Sequence, residues 1–456
     1  MNTIRFFVAL ILSKLYLFVL KILHQEKDDK PGYLAIKIYP DFLSKIKKPN
    51  LVIAVTGTNG KTTTTNLLAE ILIKSGKKVI YNDWGANLPS SAIRCLLDGV
   101  TIFNTRKKID IAILETDEIL SKEFFPKVNP NYLIVTNLFR DSMHRNAHSE
   151  FVFNKINNAI TKNMTLILNA DDPVSSMLGE NNKSVYFGID KLKTDRKSSK
   201  EIVNDMILCP KCNTKLIYDF SRYHHIGKVH CPSCDFKSKE ATYSLTNINE
   251  KEKKITINNI KYNLIDESIF NIYNELAVIT LLKELNMSDK DINKYLENQK
   301  VIKSRQNSEV INGIEIKSLV CKGMNSIATS RICDYISKMD GNIEVIITID
   351  DTFDNKCGSE SIGWIYDADF EFLNKDNIKR IVVGGVRSKD YKVRLLLAGI
   401  PEDKIYITKH EINTPNYLTF KDINKIIILY DVYYISGGMK IKEGIINKIR
   451  SEKHEN

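Results

Sequence analysis

From residue 51 onward, short unbroken apolar runs alternate with stretches of helical spacing. The runs are Leu51-Val52-Ile53-Ala54-Val55, Lys78-Val79-Ile80-Tyr81, Ile111-Ala112-Ile113-Leu114, Tyr132-Leu133-Ile134-Val135 and Leu166-Ile167-Leu168. Runs of this length, without polar alternation, predict parallel strands buried on both faces. The stretches between them, such as Leu67-Leu68-Ala69-Glu70-Ile71-Leu72, suit the helices of βαβ crossovers. Each predicted strand ends in polar residues: Glu115-Thr116-Asp117-Glu118, Thr136-Asn137 and Asn169-Ala170-Asp171-Asp172-Pro173. Ligands of open α/β sheets lie beyond the carboxyl ends of the strands. These side chains are therefore expected to converge on one ligand.

After about residue 190 the pattern changes. A charged stretch leads into two cysteine pairs and then into short β-like segments, Lys254-Ile255-Thr256-Ile257 and Ile260-Lys261-Tyr262-Asn263-Leu264. Helical spacing returns over 271–285. A third block begins near 305, with predicted strands Val345-Ile346-Ile347-Thr348-Ile349, Arg380-Ile381-Val382-Val383 and Ile426-Ile427-Ile428-Leu429. The organisation expected is an N-terminal helical segment (1–48), a central α/β domain (49–300) with an insertion at about 205–240, and a smaller α/β domain (301–456).

The N-terminal pattern is different again. Phe6-Phe7-Val8-Ala9-Leu10-Ile11-Leu12 and Leu15-Tyr16-Leu17-Phe18-Val19-Leu20 flank Ser13-Lys14, and Lys21 ends the run. A lysine at mid-bilayer costs about 3 kcal/mol. No small-residue cleavage site follows, which argues against a signal peptide. The expectation is a helix packed on the first domain or lying on a membrane surface, with a true span as the alternative.

The chain has 456 residues, a net charge of +11 and eight cysteines. The charge is spread through a Lys-, Asn- and Ile-rich chain, with no dense basic stripe interleaved with aromatics, so nucleic acid is not expected as a partner. Eight cysteines in this length do not make a secreted disulfide framework. Cys95, Cys321, Cys333 and Cys357 are scattered and read as ordinary thiols in a reducing cytoplasm.

The strongest chemical signal follows the first strand: Gly57-Thr58-Asn59-Gly60-Lys61-Thr62-Thr63. Two glycines let several backbone N–H groups face one phosphate chain, and the following helix adds its positive end. Lys61 would reach the β- and γ-phosphates of ATP, and the Thr62 hydroxyl would hold Mg²⁺. The bland alternative is a glycine turn between a core strand and a helix.

Cys209-Pro210-Lys211-Cys212 and Cys231-Pro232-Ser233-Cys234 are two C-x-x-C pairs separated by residues 213–230. This spacing matches a Cys₄ zinc ribbon, in which four thiolates close a structural tetrahedron around Zn²⁺. A pair of redox dithiols is the alternative. His230 borders Cys231 and reads as a neighbour of the site, because four cysteines already fill it.

The phosphate loop is the short G-x-x-G-K-T-T form, which resembles that of the Mur ligase family. Combined with an inserted cysteine ribbon, it resembles the MurT type of that family. Further matching segments are Trp84-Gly85-Ala86-Asn87, Thr136-Asn137-Leu138-Phe139-Arg140-Asp141, Asn169-Ala170-Asp171-Asp172-Pro173, Phe270-Asn271-Ile272-Tyr273-Asn274 and Trp364-Ile365-Tyr366-Asp367-Ala368-Asp369-Phe370-Glu371. The resemblance implies a Mur-ligase-like central domain with a parallel sheet, the inserted zinc ribbon and a smaller C-terminal α/β domain. It implies ATP-dependent amidation of the D-glutamate α-carboxyl of lipid II, through an acyl phosphate, to D-isoglutamine. Ammonia would come from a separate glutamine amidotransferase subunit resembling GatD. The place of action would be the cytoplasm, at the inner face of the membrane.

The resemblance also assigns residues. Lys61 and Glu115 would act on the phosphoryl group, with Thr62 and Glu115 as Mg²⁺ ligands. Asn271 and Asn274 would face the adenine, and Arg305 would lie near the phosphates. Each has a plainer reading: Glu115 as a helix cap, the two asparagines as a polar helix edge, Arg305 as a solvated charge. MurT proteins carry an A-D-G-R-D segment shortly before the W-x-x-D. Here that stretch is longer, and Asp354 or Glu360 stands for its catalytic aspartate. Val320-Cys321-Lys322-Gly323-Met324-Asn325 likewise departs from N-P-A-G-x-N. These departures leave a second reading, a Mur-like ligase acting on a different carboxylate.

Overall fold

A computed structural model describes residues 2–25, 27–82, 86–140, 148–297, 299, 306–321, 323–349, 362–432 and 434–451. The chain forms two compact units. The first comprises residues 1–140, 148–199 and 205–301; the second comprises 141–147, 200–204 and 302–456.

The first unit carries strands β1 (Leu51–Thr56), β2 (Val79–Tyr81), β3 (Ile111–Glu115), β4 (Tyr132–Val135), β5 (Thr165–Asn169) and β6 (Ser184–Ile189). These are the apolar runs read from the sequence, with β6 added. The interior positions of β1, β3, β4 and β5 are buried, as strands covered on both faces require, while the edge strand β2 is half-buried. Then come β7 (Ile217–Tyr223), β8 (Ile226–His230), β9 (Tyr243–Asn249), β10 (Lys254–Ile257) and β11 (Ile260–Asn263).

Nine of them make one sheet in the order β11-β10-β9-β6-β5-β4-β1-β3-β2. From β2 to β9 every pairing is parallel, and β10 and β11 extend the sheet antiparallel. The chain places β3 on one side of β1 and β4 on the other. The carboxyl end of β1 is therefore where the connections diverge, which is where such sheets bind ligands. Helix Lys61–Lys74 packs on β1, β2 and β3, and helix Ile269–Glu284 packs on β5, β6 and Lys61–Lys74. β7 and β8 form a separate two-stranded hairpin.

The N-terminal segment belongs to this first unit. Its helix Asn2–Ile22 runs unbroken through Ser13 and Lys14 and packs on helices Lys30–Ile38 and Pro89–Asp98.

The second unit adds β12 (Gln306–Ile311), β13 (Ile314–Cys321), β14 (Ile343–Thr348), β15 (Ile378–Gly384), β16 (Ile405–Thr408) and β17 (Lys425–Asp431), in the order β12-β13-β17-β14-β15-β16. All but the β12–β13 pair are parallel. Alternate residues feed two cores. Val345, Ile347, Ile427 and Leu429 join Trp364 and Tyr391, while Ile346, Ile426 and Ile428 join Ile441 and Ile445 of helix Ile435–Ser451. Residues 200–204 pack here: Ile202 N–H donates to Asp369 (2.7 Å), and Glu201 meets Arg331 (3.1 Å).

Candidate functional site

The loop after β1 turns where only glycine fits. Gly57 has φ 127° and Gly60 has φ 87°. A Cβ on Gly57 would overlap the Thr136 hydroxyl, and one on Gly60 would overlap the Asn274 amide. Both the backbone angle and the space exclude a side chain.

The loop is braced by the strand beside it. Thr58 N–H donates to Asn137 O (2.9 Å), and Asn59 N–H donates to the Asn137 side chain (3.1 Å). Asn59 O accepts from Thr136 Oγ1 (2.6 Å) and Asn137 Nδ2 (3.0 Å). Phe139 N–H donates to Thr58 Oγ1 (2.9 Å). Thr136 and Asn137, expected to face the ligand, thus hold the shape of the loop.

Helix Lys61–Lys74 begins directly behind Gly60, with no side-chain cap on its first turn. Its free N–H groups and positive end face the loop, as an anion site requires. Lys61 is buried, with Nζ 2.6 Å from Gly57 O and 2.9 Å from Glu118 Oε1. Burial alone would lower its pKa, but Glu118, Glu115 and Asp117 outweigh that and raise it. Burial raises Glu118, against the pull of Lys61 and with the push of Asp117. Three carboxylates lie within electrostatic reach of one ammonium, and the lysine stays charged.

The hydroxyl and carboxylate beside the loop fit a divalent cation. Thr62 Oγ1 donates to Glu115 Oε1 at 3.1 Å. Two cis oxygens on an octahedral Mg²⁺, each at about 2.1 Å, lie about 3 Å apart. Glu115 is the last residue of β3, and no helix cap role is left for it. Asn82 fixes its backbone from both sides, accepting from Glu115 N–H (2.8 Å) and donating to Glu115 O (3.0 Å).

Asn274 is buried against Gly60, and Asn271 accepts from its amide at 3.3 Å. The structure therefore brings Gly57, Thr58, Asn59, Gly60, Lys61, Thr62, Thr63, Glu115, Asn271 and Asn274 to one sheet end. Arg305, Asp354 and Glu360 lie outside the described residues, as do Trp84, Gly85, Asp141 and Lys322.

One expectation is corrected. Asp171 and Asp172 are engaged by protein partners rather than left free for a ligand. Asp171 accepts from Tyr273 (2.7 Å), Ile189 N–H (2.8 Å) and Arg222 (3.0 Å), and Arg222 also pairs with Asp195 (2.8 Å). Asp172 accepts from Leu138 N–H (2.8 Å) and Val174 N–H (2.9 Å). For Asp171 the cause is the hairpin β7–β8, which brings Arg222 to the β5 end, whereas Asp172 holds backbone N–H groups, one of them next to Asn137.

The four ribbon sulfurs lie within 4.8 Å of one another. The contacts Cys209–Cys234, Cys212–Cys231 and Cys212–Cys234 are 3.5, 3.4 and 3.6 Å. Tetrahedral thiolates at a Zn–S distance of about 2.3 Å sit about 3.8 Å apart, so the set suits that ion. His230 instead pairs with Asp219 (3.0 Å), and no histidine joins the cluster among the described residues.

Asn82 and Arg222 were missed by sequence reasoning, and Glu118 was read only as one of the polar residues past β3, not as the partner of Lys61. Asn82 and Glu118 stand just past strand ends, the one signal available. Arg222 has none, because nothing local ties it to residue 171.

Phosphate loop, sheet order and flanking carboxylates together form one site suited to a phosphate-bearing ligand. Residues 55–207 match the family model described as Mur ligase middle domain, and 323–431 match MurT ligase C-terminal. A pseudomurein peptide ligase type C from Methanothermus fervidus shares the fold: TM-score 0.67, 22% identity, over 89% of this chain and 81% of that one. MurF from Thermotoga maritima, solved with ADP, aligns at TM-score 0.54 and 13% identity over 92% and 85%.

The lipid II isoglutaminyl synthase (glutamine-hydrolyzing) subunit MurT of Staphylococcus aureus is 30% identical, over 87% of this chain and 89% of its own length. The Streptococcus pneumoniae protein of the same name is 29% identical over 83% and 84%. The chain belongs to the MurT family and is a Mur-like ligase of peptidoglycan synthesis.

Proposed function

We propose that this chain amidates the α-carboxyl of the D-glutamate in lipid II, using ATP, to give D-isoglutamine. The observation that carries the reading is the assembled set Lys61, Thr62 and Glu115 in a chain aligned along 87% of its length with a MurT subunit. The carboxylate oxygen attacks the γ-phosphorus of ATP, and the bond to the bridging oxygen of ADP breaks. Ammonia then attacks the acyl phosphate, loses a proton and displaces phosphate. Glutamine hydrolysis by a partner subunit resembling GatD supplies the ammonia.

Each residue has a task in this scheme. The loop N–H groups and Lys61 hold the β- and γ-phosphates, with Lys61 exchanging Gly57 O and Glu118 for phosphate oxygens. Thr62 and Glu115 hold Mg²⁺, which neutralises phosphate charge when bound. Asn82 keeps Glu115 in place, and Asn271 and Asn274 face the adenine. Arg305 near the phosphates, and Asp354 or Glu360 toward the partner, are assigned by family resemblance alone. Cys209, Cys212, Cys231 and Cys234 hold a structural Zn²⁺. The protein works in the cytoplasm at the inner membrane face, where a lipid-linked substrate is reached.

A second reading, a ligase for another carboxylate, is favoured by the lengthened stretch 350–361 before Trp364. Mass spectrometry of lipid II incubated with the chain, its amidotransferase partner, ATP, Mg²⁺ and glutamine separates the two. Conversion of the carboxylate to the amide supports the first reading. No conversion, even with ammonia supplied directly, rejects it in favour of the second.

A further inference from the structure

Helix Asn2–Ile22 has two apolar faces, and the fold uses one. Phe6, Ala9, Leu10, Leu17 and Leu20 are buried, with Phe6 against Phe42 and Tyr39 (ring centroids 5.0 and 5.9 Å). On the opposite side Ile4, Val8, Ile11, Leu15, Phe18 and Ile22 are 44–71% exposed. Their spacing of three and four residues makes a single stripe along the helix. Such a continuous exposed apolar stripe marks an interaction surface.

Lys14, at the middle of the helix, and Lys21, in its last turn, are both tethered to helix Pro89–Asp98. Lys14 Nζ donates to Leu97 O (2.8 Å), and Lys21 Nζ to Asp98 (2.9 Å). The stripe is therefore free of charge along its middle.

The same unit exposes a second apolar feature. The loop after helix Pro89–Asp98 exposes Ile102 at 51% and Phe103 at 74%. Asn104 ties this loop to Lys45 O (3.1 Å) and Lys47 N–H (2.9 Å). Exposed Arg106, Lys107 and Lys108 follow, and Lys107 is close enough to Lys14 to act on its charge. Residues 1–48 contain nine Lys and Arg against four Asp and Glu, a balance of 9 − 4 = +5.

Charge selects the occupant. A second copy would bring the same positive rim against itself, which is unfavourable. An anionic bilayer offers an apolar layer for the stripe and negative headgroups for the rim. A membrane span by this helix would require its buried face to leave the core and the tethered Lys14 to enter hydrocarbon. A helix lying in the interface plane needs neither.

We propose that the exposed stripe of helix Asn2–Ile22 docks this protein on an anionic lipid surface. The inference is independent of which carboxylate the ligase amidates. The test is flotation of the full chain with phosphatidylcholine vesicles and with vesicles containing phosphatidylglycerol. It is run beside the triple variant Ile11→Ser, Leu15→Ser, Phe18→Ser, whose fold is checked by circular dichroism and whose mass is checked by light scattering.

The expected result is flotation with the anionic vesicles, reduced at least about tenfold in the triple variant and weakened at about 0.5 M salt. Four results would overturn it. One is no flotation with either vesicle, and another is flotation unchanged by the triple substitution. The third is a dimer in solution that the triple substitution splits. The last is vesicle-bound protein resisting alkaline carbonate extraction, the mark of a span.

Discussion

Glu275 lies on the helix that carries Asn271 and Asn274, and its side chain is buried with no cation paired to it among the described residues. Ile265 N–H donates to Oε2 (3.1 Å), and Oε1 has no hydrogen-bond partner among the described residues. Burial, with Asp266 adding to it and the Ile265 bond opposing, pushes its pKa from 4.5 up to about 8. The unfolded chain ionises near 4.5, so folding stability from this group is full below that pH. It is lost progressively as pH rises, until the folded carboxyl also ionises near pH 8.

Glu275→Gln removes the charge and keeps an acceptor for Ile265. About 3.5 pH units at about 1.36 kcal/mol each give a ceiling of about 4.8 kcal/mol. Relaxation around the buried charge reduces the measured effect to about 2–4 kcal/mol. The new amide N–H₂ costs about 1–2 kcal/mol at every pH, because it is buried. The variant is thus expected to be slightly less stable than the parent at pH 5 and more stable at pH 9. Urea unfolding followed by circular dichroism, at pH 5, 6, 7, 8 and 9 with the slope m checked for constancy, measures the difference. A difference that stays flat from pH 5 to 9 refutes the reasoning.

Further expectations concern the site and its supports. Gly60→Ala forces a positive-φ alanine into Asn274, costing at least about 1–2 kcal/mol of stability; its ATP affinity by calorimetry should fall at least about tenfold. Lys61→Met leaves Glu115, Asp117 and Glu118 without their ammonium, so ATP turnover should drop by about two orders of magnitude or more while the ribbon keeps its metal. Arg222→Met strands Asp171 and Asp195, and should lower the unfolding free energy by about 3–5 kcal/mol. The purified chain should carry about one zinc by elemental analysis, and Cys231→Ser should lose it and expose the 205–240 segment to protease.

The sequence by itself determined the features whose cause is local. The phosphate loop needs two glycines, a lysine and a threonine in consecutive positions between a strand and a helix, and those positions are contiguous. The strands β1, β3, β4 and β5 announce themselves because parallel strands buried on both faces must be apolar throughout. The cysteine ribbon is written in two pairs whose spacing sets four sulfurs around one point.

Only the tertiary structure decided which distant residues meet. Sheet order, not spacing, puts Thr136 and Asn137 under the loop, Asn82 against Glu115 and Glu118 on Lys61. Helix packing sets Asn274 where it makes Gly60 obligatory. The hairpin β7–β8 engages Asp171 by delivering Arg222 to it, a contact no local pattern encodes. Likewise the N-terminal run reads the same on all sides in sequence. Packing chooses its buried face, and the carbonyl of Leu97 and the carboxylate of Asp98 draw its lysines inward, which leaves the other face apolar.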